Sequence, residues 1–298
     1  MTAAVIKKQL DSVGYSSRDD EARKIINSST PTQLQSMDAK SVLLLILELR
    51  TGWISDDDNN ALDRLKKHSQ FQPVPDAITF AIDLLKNSMK TDPRVKAELA
   101  KKYVTQIYAA EEKRLSTLEQ WGIDGDTIGR GQLSNDSYQD VTNKANYLGE
   151  FEKFLTHIYI ERFLDRKHPL SGIDFTRRYT LFDPSTNEVR IPPNYQCIIH
   201  GTELAIRHKD LEDFVVAAYL TLKLNSSFRN PARPRDDALK IGVGVYHGMF
   251  GSIRDSQIYT KNDINWAPIE ADLLARGGIK KDVAAMRDHI NYIYEVIR

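Results

Sequence analysis

The segment TDPRVKAELAKKYVTQIYAAEEKRL, residues 91–115, repeats Val95, Leu99, Tyr103, Val104, Ile107, Tyr108, Glu111 and Leu115 at helical spacing. A stripe of this length is stable only when packed, so the chain must build a helical core around it. Thr91 can cap the helix, and Pro93 sits in its first turn. The stripe contains one acid. Glu111 falls on the apolar face near the helix end, whereas Glu112 lies about 100° round, in line with Tyr108, flanking and half exposed. An ionised carboxylate on a core face is costly, and burial raises a carboxyl pKa. Glu111 is therefore either paired with a base such as Arg114 or kept protonated as a general acid.

The preceding residues read as short, well-punctuated helices. SSRDDEARKIINSS offers Ser17 as an N-cap followed by acids in the first turn. DAKSVLLLILELRTG ends on a glycine suited to a helix C-terminus, and SDDDNNALDRLKK opens on Ser55 with acids at its positive end. These signals predict an N-terminal helical bundle. Its apolar run, Ser41 to Leu49, is too short to span a bilayer, and the first residues lack the apolar core of a secretory signal. The expectation is a chain made and folded in a cytoplasm, with no stable membrane insertion.

The chain has 298 residues with 41 basic and 41 acidic side chains, so its formal charge is zero and no basic block stands out. That balance argues against a general nucleic-acid binder. Cys197 is the single cysteine, which excludes an intrachain disulfide and a cysteine-based zinc site and reads as a small buried hydrophobe. SDDDNN is read as a capped helix start in preference to a calcium loop, which needs alternating oxygen ligands around a glycine turn. No metal or cofactor is expected.

After the long stripe the pattern changes. TLEQWGIDGDTIGRGQL reads as a strand, a turn at IDGD and a second strand closing on GRGQ. SNDSYQDVTNKANYLGEFEKFLTHIYIERFLDR then reads as one long helix with Ser134 or Asn135 as cap. Tyr179 to Ile191 forms a second hairpin-like segment around DPSTN. HKDLEDFVVAAYLTLKLNSSF is a helix with a buried Val-Val-Ala-Ala centre, and the small residues of DDALKIGVGVYHGMFGSIRDSQ allow close helix packing. Tyr246, His247 and Gln257 are the exposed polar candidates there; no Ser or Cys partner by spacing makes His247 part of a triad. A C-terminal amphipathic helix presents Val283, Met286, Ile290, Ile293 and Val296 or Ile297.

EEKRL followed by TIGRGQL resembles the phage-type lysozyme pattern, in which a glutamate and an Arg-Leu pair precede a Thr-Ile-Gly-x-Gly hairpin strand. GRGQ is also similar to the hairpin of chitosanases and other muramidases, and YHGM with the following Ile and Gln resembles the far wall of bacterial lysozyme-like hydrolases. Arg18 to Leu65 loosely resembles the annexin-like helical repeats at the N-termini of bacterial secreted effectors, without the annexin calcium loop. The resemblance implies an α+β, mainly α-helical chain: a two-lobed lysozyme-like fold with small β-hairpins over residues 73–298, preceded by a helical module over residues 1–72 that serves transport or docking.

The implied activity is a peptidoglycan hydrolase, a muramidase cleaving β-linked glycan strands with Glu111 as general acid and Glu112 as the alternate. Thr127 matches the threonine that holds the attacking water in phage-type enzymes, while the family's pre-hairpin aspartate would fall at Glu119 to Trp121, where no aspartate stands. Asp126 takes the base role, with Glu119 and Asp124 as alternatives, and an Asp126–Thr127 pair holding water implies inversion at the anomeric carbon. Arg130, Gln132, Tyr138, Tyr246, His247 and Gln257 would contact substrate. Implied partners are peptidoglycan strands, a component of a secretion machine and an immunity protein, with delivery to the periplasm or wall of a target cell as an antibacterial toxin or lysis enzyme. Chitosanase or chitinase activity, a lytic transglycosylase and a catalytically dead lysozyme fold remain alternatives.

Overall fold

The computed structural model describes residues 1–14, 17–49, 55–71, 76–114, 127–128, 130–164, 182–183, 188–189, 209–246, 265–275, 284, 287–288 and 291–295. Among these the chain is mainly helical. The helices are α1 (Ala3–Asp11), α2 (Arg18–Ser28), α3 (Pro31–Gln35), α4 (Ala39–Leu49), α5 (Asp56–His68), α6 (Ala77–Asn87), α7 (Pro93–Glu98), α8 (Lys101–Arg114), α9 (Asn135–Val141), α10 (Leu148–Leu164), α11 (Lys209–Phe228), α12 (Arg235–Tyr246) and α13 (Trp266–Ala275). Strand among the described residues is confined to two antiparallel two-residue ladders, β1 (Thr127–Ile128) with β2 (Leu133–Ser134) and β3 (Phe182–Asp183) with β4 (Glu188–Val189).

Two compact units emerge from the contacts: Met1–Ala77 with Phe151–His200, and Ile78–Glu150 with Gly201–Arg298.

In the first unit α4 is the central helix, buried continuously from Ser41 to Leu49 and contacted by α1, α2 and α5. An all-round apolar helix has no polar face to offer water, so burial is its only stable placement. Each of its Val, Leu and Ile side chains contributes about 1.5–3 kcal/mol relative to exposure. No helix among the described residues is long and apolar enough to cross a membrane. Ser55 caps α5 through a complete capping box: its hydroxyl accepts from the Asp58 N–H at 3.2 Å, and the Asp58 carboxylate accepts from the Ser55 N–H at 2.8 Å. Arg23 of α2 reaches the same carboxylate at 2.7 Å, tying α2 to the start of α5. SDDDNN is therefore a helix start, with Asp58 committed to Ser55 and Arg23. Ser17 stands at the N-cap of α2, but its side chain accepts no cap hydrogen bond there.

The second unit departs from the sequence reading in three places. The helix expected from Thr91 onward is capped instead by Asp92, whose side chain accepts from the Arg94 N–H at 2.8 Å, and it breaks after α7. With ψ of 123° at Leu99 the i to i−4 ladder cannot continue, yet Val95, Leu99, Tyr103, Val104 and Ile107 are all buried, so the stripe survives the break. The helix expected from residue 135 to 165 is two helices, because the chain turns at Thr142–Tyr147. There the Tyr147 N–H donates to the Val141 carbonyl at 3.0 Å, and the Asn146 side-chain amide donates to the Asp140 carbonyl at 2.6 Å. The turn buries Tyr147, whose hydroxyl meets Thr91 Oγ1 and Asn225 Nδ2, each at 3.0 Å.

The third departure concerns the first hairpin. Thr127 pairs with Ser134 and Ile128 with Leu133, so Arg130, Gly131 and Gln132 form the turn and do not belong to the second strand. Gln132 adopts φ of 48°, the left-handed geometry that reverses the chain at modest cost for a non-glycine. The expected turn at IDGD lies outside the described residues. Close packing through small residues does occur where expected: a Cβ on Gly242 of α12 would stand 2.5 Å from Leu224 Cδ2 and 3.3 Å from Leu224 Cα of α11. Of the expected C-terminal inner face only Ile293 lies among the described residues, and it is buried.

Candidate functional site

The site assembles around the Arg130–Gln132 turn. Helical periodicity carries Glu111 into the core on the last turns of α8, at 1 % exposure, while Glu112 is exposed. One turn earlier on the same face, Tyr108 donates its hydroxyl to Asp213 Oδ1 at 2.8 Å. Glu212 and Asp213 are the fourth and fifth residues of α11, one turn in from its positive end. Arg130 bridges them, with Nε donating to Glu212 Oε2 at 3.2 Å and Nη2 donating to Asp213 Oδ1 at 2.8 Å. Its guanidinium also lies 4.2 Å from the centroid of the Tyr108 ring, a cation–π contact.

The turn's backbone is held as firmly as its side chain. Glu212 Oε1 accepts from the Gly131 N–H at 2.9 Å, and Tyr246 of α12 donates its hydroxyl to the Gly131 carbonyl at 2.8 Å. Tyr219 meets the Tyr246 ring edge-on at 5.4 Å between centroids. Glycine is required at 131 by space: a Cβ would fall 2.3 Å from Val216 Cγ2. The turn is therefore pressed against α11 with both backbone polar groups satisfied.

Burial raises the Glu212 carboxyl above its ordinary value, opposed by the Gly131 N–H and by Arg130, which both favour the carboxylate. Tyr108 and Tyr246 are pushed well above the usual phenol range, first by burial and then by nearby carboxylates, Asp213 and Glu212 for Tyr108, Glu111 and Glu212 for Tyr246. Both phenols therefore remain protonated donors at any ordinary pH. Burial works against the Arg130 charge, but Tyr108, Asp213 and Glu212 together hold it charged. Chemically the cluster offers two carboxyl groups on one guanidinium and two fixed hydroxyl donors, with Glu111 acting on the Tyr246 phenol, a setting in which proton affinity is tuned by burial and by charge.

Of the residues named from the sequence, Arg130 and Tyr246 both meet this turn, and Glu111 acts electrostatically on Tyr246. Tyr246, taken as exposed, is buried because its hydroxyl is spent on the Gly131 carbonyl. Tyr138, taken as a substrate contact, is among the largest fully buried side chains and fills the core from α9. Gln132 is half-buried in the turn. Thr127 is paired in β1, and its side chain lies outside what is described. Glu119, Asp124, Asp126, His247 and Gln257 lie outside the described residues. Among the described residues no group of His, Cys, Asp or Glu side chains could hold a metal ion.

Sequence reasoning passed over Glu212 and Asp213, and also Tyr108 as anything beyond a stripe residue. A signal was present: the two acids in LEDFVVAAY directly precede an apolar run, so the helix must carry them at the edge of the core. No family model matches the chain, and neither the curated proteins nor the solved structures yield a match.

Proposed function

We propose that the protein is a glycoside hydrolase acting on peptidoglycan, with Glu111 as the general acid. The observation that carries this reading is the burial of Glu111 at the end of α8, within electrostatic reach of Tyr246, the side chain that also holds the glycine turn. A carboxyl in such a place is suited to giving a proton to a leaving glycosidic oxygen. The resemblance of EEKRL and TIGRGQL to phage-type lysozymes supports the same assignment, and with it the finer reading of a two-lobed α+β lysozyme-like fold with small hairpins. Asp126 and Thr127 together would hold the water. Delivery as an antibacterial effector belongs to the same proposal and rests on the effector-like N-terminal pattern.

The test is digestion of purified peptidoglycan, with chitosan and chitin in parallel and mass spectrometry of the products. Muropeptides with a free reducing end are expected, and anhydro ends would point to a lytic transglycosylase. Glu111→Gln, which keeps the shape and removes the proton, should lower the rate about a hundred- to ten-thousand-fold. A folded Gln variant with wild-type rate would remove Glu111 from the chemistry.

A second reading is favoured by one observation: Arg130, Glu212 and Asp213 are engaged with one another, so the cluster is also what a structural brace would look like. On that reading the protein is a binding or structural protein on a dead fold, and no polymer is cleaved.

A further inference from the structure

Glu212 and Asp213 have no role in the hydrolase reading above, yet they and the packing of Val216 tie the turn to α11. Glu212 alone receives two donors from the turn, the Gly131 N–H at 2.9 Å and Arg130 Nε at 3.2 Å, while Asp213 takes Arg130 Nη2 and the Tyr108 hydroxyl, both at 2.8 Å. The carboxylates are almost wholly covered, with side-chain exposures of 4 % and 8 %, and Arg130 is the accessible member at 37 %. The groups facing Glu212 are Arg130 and the Gly131 N–H from the turn, Tyr108 from α8, Tyr246 from α12 and Asp213 on its own helix. Glu111 shares Tyr246 with it.

We propose that Glu212 is a positioning residue: with Asp213 it clamps the Arg130–Gln132 turn by charge and backbone hydrogen bonding, and through Gly131 it fixes the carbonyl to which the Tyr246 hydroxyl is bonded. The clamp stands on the geometry alone, while its catalytic half rests on the hydrolase reading above. Charge-assisted bonds of this kind are the strong ones, and losing a covered acceptor leaves the Gly131 N–H and the Arg130 guanidinium poorly paired. Glu212 and Glu111 act on the same Tyr246 phenol, so neutralising Glu212 takes a negative charge away from the group on which the proposed acid acts. The acid then loses its proton at lower pH.

The experiment pairs site-resolved hydrogen exchange of the full chain with a pH profile of wall lysis, in wild type, Glu212→Ala and Glu212→Gln. In Glu212→Ala the Gly131 amide should exchange about ten- to a hundred-fold faster than in wild type, while amides in α4 keep their protection. Glu212→Gln, whose amide oxygen still accepts from Gly131, should recover part of that protection. The alkaline limb of its lysis profile should nonetheless move to lower pH, a change that loss of shape alone would not produce. If Glu212→Ala fails to fold, Arg130→Gln tests the same clamp from its accessible side and should speed the same amide. Unchanged Gly131 exchange in the folded variants overturns the clamp. Faster exchange with an unmoved pH limb overturns the positioning role. Wild-type protein that clears no wall at any pH sinks the hydrolase reading, and the exchange result then decides the clamp independently.

Discussion

Gly131→Ala tests the packing of the turn most directly. The added methyl would stand 2.3 Å from Val216 Cγ2, well inside van der Waals contact, and 3.1 Å from the Tyr246 hydroxyl oxygen. Val216 is fully buried, and a β-branched side chain has few rotamers to yield into, so the backbone of the turn must move. Overpacking of this kind costs about 1–3 kcal/mol. Moving the turn also strains the Tyr246 bond to the Gly131 carbonyl, whose loss adds about 0.5–1.5 kcal/mol. The total is about 2–4 kcal/mol, or about 4–16 °C in Tm for a domain of ordinary size. The diagnostic is a double-mutant cycle with Val216→Ala, which removes the clashing methyl. Urea unfolding of the four proteins should give a double mutant more stable than the sum of the singles by about 1 kcal/mol or more. Additive costs, or a Gly131→Ala protein within about 0.5 kcal/mol of wild type, would refute the argument that the turn is pressed onto α11.

Three further outcomes are expected, beside the loss of lysis in Glu111→Gln. Tyr147→Phe should cost about 1–3 kcal/mol by chemical denaturation, since Thr91 and Asn225 lose a shared buried partner; a neutral result would mean that they re-pair without it. Ser55→Ala should cost about 0.5–2 kcal/mol through the lost cap, with Asp58→Ala costing more because it also removes the buried carboxylate that Arg23 reaches across to from α2. Burial holds the His157 imidazole, packed edge-on to Phe71 at 4.9 Å, below its ordinary value, against the Lys153 carbonyl that favours the charged ring. The unfolded chain therefore takes up this proton first. Its contribution to stability is complete above about pH 6.5 and declines as pH falls through the window down to the lower folded value. Urea midpoints from pH 8 to 5 should fall less steeply in His157→Gln, and identical slopes would contradict the assignment.

How much of the site was legible follows from how far apart its parts lie in the chain. The burial of Glu111 could be read directly, because helical register is a local property and survived even the unexpected break at Leu99, whereas Glu112, expected half exposed at best, is exposed. Tyr246 was legible as a site residue but not as a buried one, since nothing near it in sequence reveals that the Gly131 carbonyl is its acceptor. Glu212 and Asp213 were visible as acids opening a helix, and their partner was not.

By itself the sequence determined that the chain is helical and where its strongest local signals fall, though not the breaks at Leu99 and Thr142–Tyr147. The Ser55 capping box closes over three residues, and the apolar run of α4 admits only a buried helix, so both follow from contacts along one turn of chain. Tertiary structure decided the rest. Arg130 reaches Glu212 and Asp213 across 82 and 83 residues, and Tyr246 reaches Gly131 across 115. Such pairings are set by which helix packs against which, and the pull between a guanidinium and a carboxylate depends on distance in space and on burial, neither of which is written in their separation along the chain.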